Sequence, residues 1–323
     1  MRAGSAVPVV VVGEALVDVV LRSDGGRHEA PGGSPLNVAV GLARLGVPTT
    51  LLTTLGDDAY GGLVRDHLAA SGVQTVASPQ SVTSTATARL DADGQATYDF
   101  ALSWDLPALP LPEAALFHCG SLAAFLAPGS ATVDALLDQA VARGMVTTFD
   151  PNVRADLLGS PAATWARTRA VAARCDLVKL SDEDARHLAA GLPAEDRTED
   201  PVRDVASALR GGRTQVVVVT EGSRGPYAHG RAEGVRLRPG PEVPVADTVG
   251  AGDSFMAALL AVLAGRRSEG LDALPPDEEL GGLLAAADAA ARVTVTRPGA
   301  DPPWRHELPA GWPLPAAGSA DVR

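Results

Sequence analysis

The sequence predicts an α/β protein with a mostly parallel central sheet, on three observations. Unbroken β-branched runs, Val9-Val10-Val11-Val12 and Val216-Val217-Val218-Val219, are apolar throughout, as in strands covered on both faces. Strand-like and helix-like patterns alternate along most of the chain, as in successive βαβ units. Two glycine-rich segments, Pro31-Gly32-Gly33-Ser34-Pro35 and Val249-Gly250-Ala251-Gly252, each lead into a helical pattern. At 323 residues the chain is long enough for one large α/β domain or two smaller ones.

Charge and composition narrow the partners. A formal charge of −12 and a pI near 4.9 argue against nucleic acid or an anionic membrane, so any phosphate site must be made locally. Cys119 and Cys175 show no metal or redox spacing and read as free cytosolic thiols. A single lysine, Lys179, stands among 27 basic side chains, which reads first as compositional bias. No apolar run has membrane-spanning length. Glu14 and Asp18 interrupt the faintly signal-like start, and a soluble cytoplasmic protein is expected.

Residues 9–13 form the first strand. Glu14 and Asp18 follow its carboxyl end, where open α/β sheets collect ligands. After a polar stretch, Gly32 and Gly33 permit close backbone approach to a ligand. Residues 38–46 read as a helix stopped by its glycine, with Asn37 at the start either a cap or a polyol contact. A strand at 51–56 and a helix at 60–71 come next. Residues 85–91 and 95–102 read as a hairpin about Asp91-Ala92-Asp93-Gly94, too polar for a central strand.

Strands at 115–120, 146–150 and 177–180 then alternate with helices at 131–144 and 161–173. Arg154, just past a strand end, offers donors to a phosphoryl group or forms a surface salt bridge. Residues 195–204 mix charges and prolines and read as a solvated connection. A strand at 215–220 and an alanine-rich helix at 283–293 follow, with Asp288 either a nucleotide contact or part of a solvated face. There is no internal repeat and no linker dividing two full domains, so residues 1–323 read as one domain. The tail, 302–323, carries no motif.

Asp247-Thr248-Val249-Gly250-Ala251-Gly252-Asp253-Ser254 is the segment the rest is organised around. It enters an apolar helix whose first N–H groups lack helical partners and, with the helix dipole, make a seat for an anion. Asp253 lies in that seat. Taken alone it either caps the helix or removes a proton from an attacking hydroxyl.

With Gly32-Gly33-Ser34-Pro35-Leu36-Asn37-Val38-Ala39, this segment resembles the paired signatures of the ribokinase-like (PfkB) carbohydrate kinases. Four other pieces agree in order: Gly13 to Asp18, Leu55-Gly56-Asp57-Asp58, Phe149 to Arg154, and Lys179-Leu180-Ser181-Asp182-Glu183. The likeness covers roughly residues 9 to 301 and is strongest to bacterial fructokinases.

The resemblance implies a three-layer α/β/α fold with a small β-sheet lid from about 19–33 and 85–105. It implies transfer of the ATP γ-phosphoryl group to a hydroxyl of a free sugar, foremost D-fructose giving fructose 6-phosphate. Asp253 would be the base, the Gly250, Ala251 and Gly252 amides the anion hole, and Arg154 a partner of the transferred group. Asp18, Gly32, Gly33 and Asn37 would bind the sugar, with Arg89, Phe100 and Trp104 as lid candidates. Lys179, Thr220, Gly222, Gly225, Gly252 and Asp288 would meet the nucleotide. Mg²⁺ would be held through water, and a monovalent cation, K⁺, beside Asp247 and Val249. The resemblance also implies a homodimer through the lid.

Two departures bear on this. Where many relatives carry Asn-x-x-Glu, this chain has Ser181 and Asp184, leaving the Mg²⁺ role between Asp184 and Glu183. There is also no basic cluster to select an already phosphorylated sugar. Ribokinase, 2-keto-3-deoxygluconate kinase, nucleoside kinase and a non-catalytic sugar sensor remain alternatives. A dinucleotide-dependent dehydrogenase is disfavoured, because the first strand runs into Gly13-Glu14-Ala15 rather than G-x-G-x-x-G.

Overall fold

In chain order, β1 (Val9–Val12), β2 (Leu16–Leu21) and β3 (Arg27–Gly32) lead into α1 (Ser34–Arg44), β4 (Thr49–Gly56) and α2 (Ala59–Ala70). Then come β5 (Gln74–Gln80), β6 (Ser84–Leu90), β7 (Ala96–Ala101), β8 (Leu116–Gly120), α3 (Gly129–Ala142) and β9 (Val146–Asp150). The second half holds α4 (Pro161–Ala172), β10 (Leu177–Ser181), α5 (Asp182–Ala189), α6 (Pro201–Leu209) and β11 (Val216–Thr220). It ends with β12 (Tyr227–His229), β13 (Gly234–Arg236), α7 (Ala251–Ser268) and α8 (Leu280–Thr294). The computed structural model describes residues 6–91, 96–231, 234–238, 240 and 242–313. The expected turn at 92–95 and the end of the tail lie outside them.

A nine-stranded sheet runs β13-β12-β11-β10-β9-β8-β1-β4-β5, parallel from β11 to β5, with β12 and β13 antiparallel at one edge. The valines of β1 explain its place near the middle. Val9 and Val11 enter the apolar core shared with α1, α7 and α8, while Val10 and Val12 enter the one beneath α3 to α6. Alternate side chains point to opposite faces, so a run apolar at every position is a strand with a core on each side. Three layers follow. A separate four-stranded sheet, β3-β2-β6-β7, is built from the two segments expected to form a lid.

Several boundaries differ from expectation. Helix α1 starts at Ser34 rather than 38, with Pro35 in its first turn, where a missing N–H costs nothing. Asn37 is thus inside the helix and does not cap it. The stretch 195–204 is not all connection. Pro201 opens α6, whose cap is Asp200, its carboxylate accepting from Arg203 N at 3.2 Å. Its charges are solvated while Val202, Val205, Ala206 and Leu209 are buried, and the charged face masked the helical period. β5 was hidden by polarity: Gln74 to Gln80 is a half-exposed edge strand. Among the described residues no helix is long and apolar enough to cross a membrane.

Candidate active site

Two glycine-rich segments far apart in sequence meet beyond the carboxyl ends of the parallel strands. Gly250 adopts φ 74°, and a Cβ there would lie 2.6 Å from Cβ of Ala300, so the turn and its neighbour both require glycine. Gly250 holds the capping position of α7, which makes Asp253 the third helical residue, and Asp253 does not cap. Its carboxylate reaches α1 instead. Ser34 Oγ donates to Oδ1 at 2.6 Å and Asn37 Nδ2 donates to Oδ2 at 2.8 Å. Asp253 is 9% exposed.

The amide cradle is smaller than expected. Ala251 N–H donates to Thr248 O at 3.3 Å and is committed to the turn. Among the described residues the N–H groups of Gly250 and Gly252 have no protein acceptor, so these two remain for an anion.

On one side of Asp253 lies β2. Burial pushes the Asp18 carboxyl up to about 6, with Arg154 opposing and Asp253 adding to the rise. A Cβ on Gly32 would collide with the Asp18 carboxylate, and one on Gly33, at φ 102°, would lie 2.7 Å from Glu14 O. Glu14 is buried and accepts from Ala123 N at 2.9 Å. Burial pushes it up to about 7, against hydrogen bonds from Ser121 and Ala123. Arg154 is exposed and donates to Asn152 Oδ1 at 2.7 Å, so it makes no salt bridge among the described residues yet acts electrostatically on Asp18.

Two lid candidates are corrected. Asp18 pairs with Ala86, and Arg89 with Leu21, three positions on, which puts Arg89 on the opposite face of the small sheet from Asp18. Phe100, paired with Ala86, shares the Asp18 face. Trp104 belongs to the core of the body, its Nε1 donating to Ala123 O at 3.1 Å.

On the other side, Lys179 from β10 bonds Asp150 at the end of β9, Nζ to Oδ2 at 2.8 Å, and both are buried. Thr220 ends β11, and Gly222 and Gly225 take φ 52° and 78° in the turn after it. That turn is organised by a residue the sequence reading passed over: buried Glu221 pairs with Arg224 at 2.8 Å and with Arg236. Asp288 on α8 is half-buried, raised by burial with Arg292 opposing.

Both oxygens of Asp184 are engaged, Oδ1 by Val153 N at 2.7 Å and Oδ2 by Ser181 N at 2.9 Å and Ser181 Oγ at 2.7 Å. This capping box leaves Glu183, exposed in the same helical turn, as the open carboxylate. Asp247 accepts from Val249 N at 3.0 Å and Gly299 N at 2.8 Å, strapping the two loops together, while Val249 is exposed. Among the described residues no cluster of three or more His, Cys, Asp or Glu forms a metal site.

A carboxylate at an amide-lined helix start, at the ligand-binding end of a parallel sheet, suits a phosphotransferase that acts on a hydroxyl. Comparison with known proteins makes this specific. The description "pfkB family carbohydrate kinase" matches residues 8–307. A fructokinase of Klebsiella pneumoniae is 33% identical over 299 residues, covering 88% of this chain and 94% of that protein. One from Rhizobium leguminosarum bv. trifolii is 34% identical over 273 residues, covering 79% of each. The crystal structure of a fructokinase from Xylella fastidiosa with bound ATP superposes with a TM-score of 0.79 at 27% identity, covering 94% of this chain and 95% of that one. The chain belongs to the pfkB family of carbohydrate kinases. It is an ATP-dependent sugar kinase.

Proposed function

We propose that the chain phosphorylates free D-fructose to fructose 6-phosphate, with Asp253 as general base. The observation that carries this reading is the position of Asp253, clamped between Ser34 and Asn37 on one side and the α7 helix start on the other. Asp253 accepts the proton of the acceptor hydroxyl as its oxygen attacks the γ-phosphorus of ATP, and ADP departs. The Gly250 and Gly252 amides hold the charge that develops, a kind of donor worth about 3 kcal/mol. Asp18, the Gly32–Gly33 backbone and the second amide proton of Asn37 bind sugar hydroxyls. Arg154 offsets the negative charge on that side. Thr220, Gly222, Gly225 and Asp288 bound the nucleotide.

Mg²⁺ neutralises phosphate charge when bound; Glu183, open where Asp184 is engaged, would hold it through water. A monovalent cation beside Asp247 and Val249 would stiffen the strapped loops. In this reading residues 1–323 form one domain. The small sheet is its lid and dimer contact, and the enzyme works in the cytoplasm, where Cys119 and Cys175 stay reduced.

The test is a coupled ADP-release assay across fructose, ribose, 2-keto-3-deoxygluconate and nucleosides. Turnover on fructose above all others is expected. Turnover on another acceptor reassigns the substrate, and none on any would leave a sugar sensor. Sedimentation with and without the small sheet's outer face charged checks the dimer.

A further inference from the structure

A buried ion pair, Lys179 with Asp150, lies against the amide cradle. Lys179 Nζ is 2.8 Å from Asp150 Oδ2, with side chains 5% and 1% exposed. Asp150 closes β9, and the β10 register, Val178 opposite Phe149, brings Lys179 alongside it. A Cβ added to Gly252 would lie 3.0 Å from Nζ, so the ammonium abuts the first turn of α7.

We propose that Asp150 is a positioning residue: its carboxylate holds the Lys179 ammonium against Gly252, so that a full positive charge backs the amide cradle during phosphoryl transfer. This rests on the function proposed above and deepens it.

Three further observations support the proposal. The groups acting on Lys179 are carboxylates on three elements: Asp150 on β9, Asp184 on α5 and Asp253 on α7. His118 on β8 is neutral, held to about 3 by burial and by Lys179 itself. Burial works to lower Lys179, but these carboxylates outweigh it and hold the ammonium above its ordinary value. Burial likewise pushes Asp150 up to about 6 against the pull of Lys179. Three carboxylates thus face one ammonium before ATP adds its own charge, and the cation is needed there.

The residue type fits as well. This is the one lysine of a chain that otherwise uses arginine among its 27 basic side chains. An ammonium is a compact point charge on a flexible stem and fits beneath Gly252, whereas a guanidinium is a planar fork. A buried pair of this kind is weak evidence for stability, since desolvation offsets much of its attraction, which directs attention to function.

The experiment compares Lys179→Met, Lys179→Arg and Asp150→Asn in the full chain. ATP and ADP affinities are measured calorimetrically without sugar, and kcat on fructose between pH 6 and 9.5. Lys179→Met is expected to weaken ATP by about 10-fold or more and ADP by less than about 3-fold, since the charge meets the γ-phosphoryl group. Asp150→Asn removes the one carboxylate hydrogen-bonded to the ammonium, the largest of the three influences that keep it protonated. Its kcat is expected near normal at low pH and to fall roughly 10-fold by pH 9, where the wild type stays level, with fructose KM unchanged.

An Asp150→Asn profile parallel to wild type, or equal loss of ATP and ADP in Lys179→Met, would overturn the proposal. If Asp150→Asn does not fold, the ATP and ADP affinities of Lys179→Met decide: preferential loss of ATP supports the role, and equal loss counts against it. Should the wild type phosphorylate no sugar, the substrate reading fails, while the ATP/ADP arm still judges the charge.

Discussion

Asn37 on α1 and Asp253 on α7, 216 positions apart in sequence, are joined by a 2.8 Å hydrogen bond that fixes one oxygen of the carboxylate proposed as the base. With Ser34 on the other oxygen, the proposed base is held in place before substrate arrives. Pre-aimed groups need no reorganisation during the reaction.

Asp253→Asn is therefore expected to lower kcat by at least about 100-fold with the fold intact, since the amide can keep one partner but cannot take the proton. Asn37→Ala should cost less, about 10-fold in kcat, and should also raise the sugar KM. Steady-state kinetics with a circular dichroism melt check both. A near-normal rate for Asp253→Asn would move the base elsewhere.

Gly250→Ala tests the cradle itself. A side chain must there adopt φ 74° and meet Ala300 at 2.6 Å. Destabilisation by about 1–3 kcal/mol and loss of turnover are expected. Unchanged melting and activity would show that the turn is not held as described.

Glu14 makes stability depend on pH. Its folded-state value, about 7, lies above the ordinary 4.5, so between those limits the folded chain binds the extra proton. Stability attributable to Glu14 is then present at pH 4.5 and lost as pH rises through 7. Glu14→Gln keeps an acceptor for Ala123 N but has no charge to desolvate. The wild type should lose roughly 1–3 kcal/mol more than the variant between pH 5 and 8. Parallel melting curves would contradict the assignment.

Asp18 is raised to about 6 by burial, with Arg154 opposing and Asp253 adding. As the ionised acceptor of sugar hydroxyls it should give kcat/KM for fructose an acid limb, falling as pH drops through about 6. Asp18→Asn should lower the plateau and remove that limb. A limb that persists in Asp18→Asn would belong to another group, such as Asp150, also near 6.

Much of this was legible in the letters. The valine run of β1 and the glycines at 33 and 250 state local requirements: apolar on both faces, and φ values of 102° and 74° that other residues resist. Helix α6 was missed because its charged face dominates the composition, and β5 because an edge strand can be polar. Ser34 and Asp150 stood inside recognised motifs, but nothing local marked the one as a partner of the base or the other as the holder of Lys179.

By itself the sequence determined the layered fold and the family, and singled out Asp253 as the candidate base, since each is written in short-range patterns of residue type. Tertiary structure alone decided how the carboxylates divide their work. Asp253 is aimed by α1, Asp150 is paired with Lys179, Asp184 is engaged by Val153 and Ser181, and Arg89 is turned away from Asp18. A carboxylate's role depends on which donors and charges lie within a few ångströms, and strand register and helix packing set that neighbourhood across hundreds of residues.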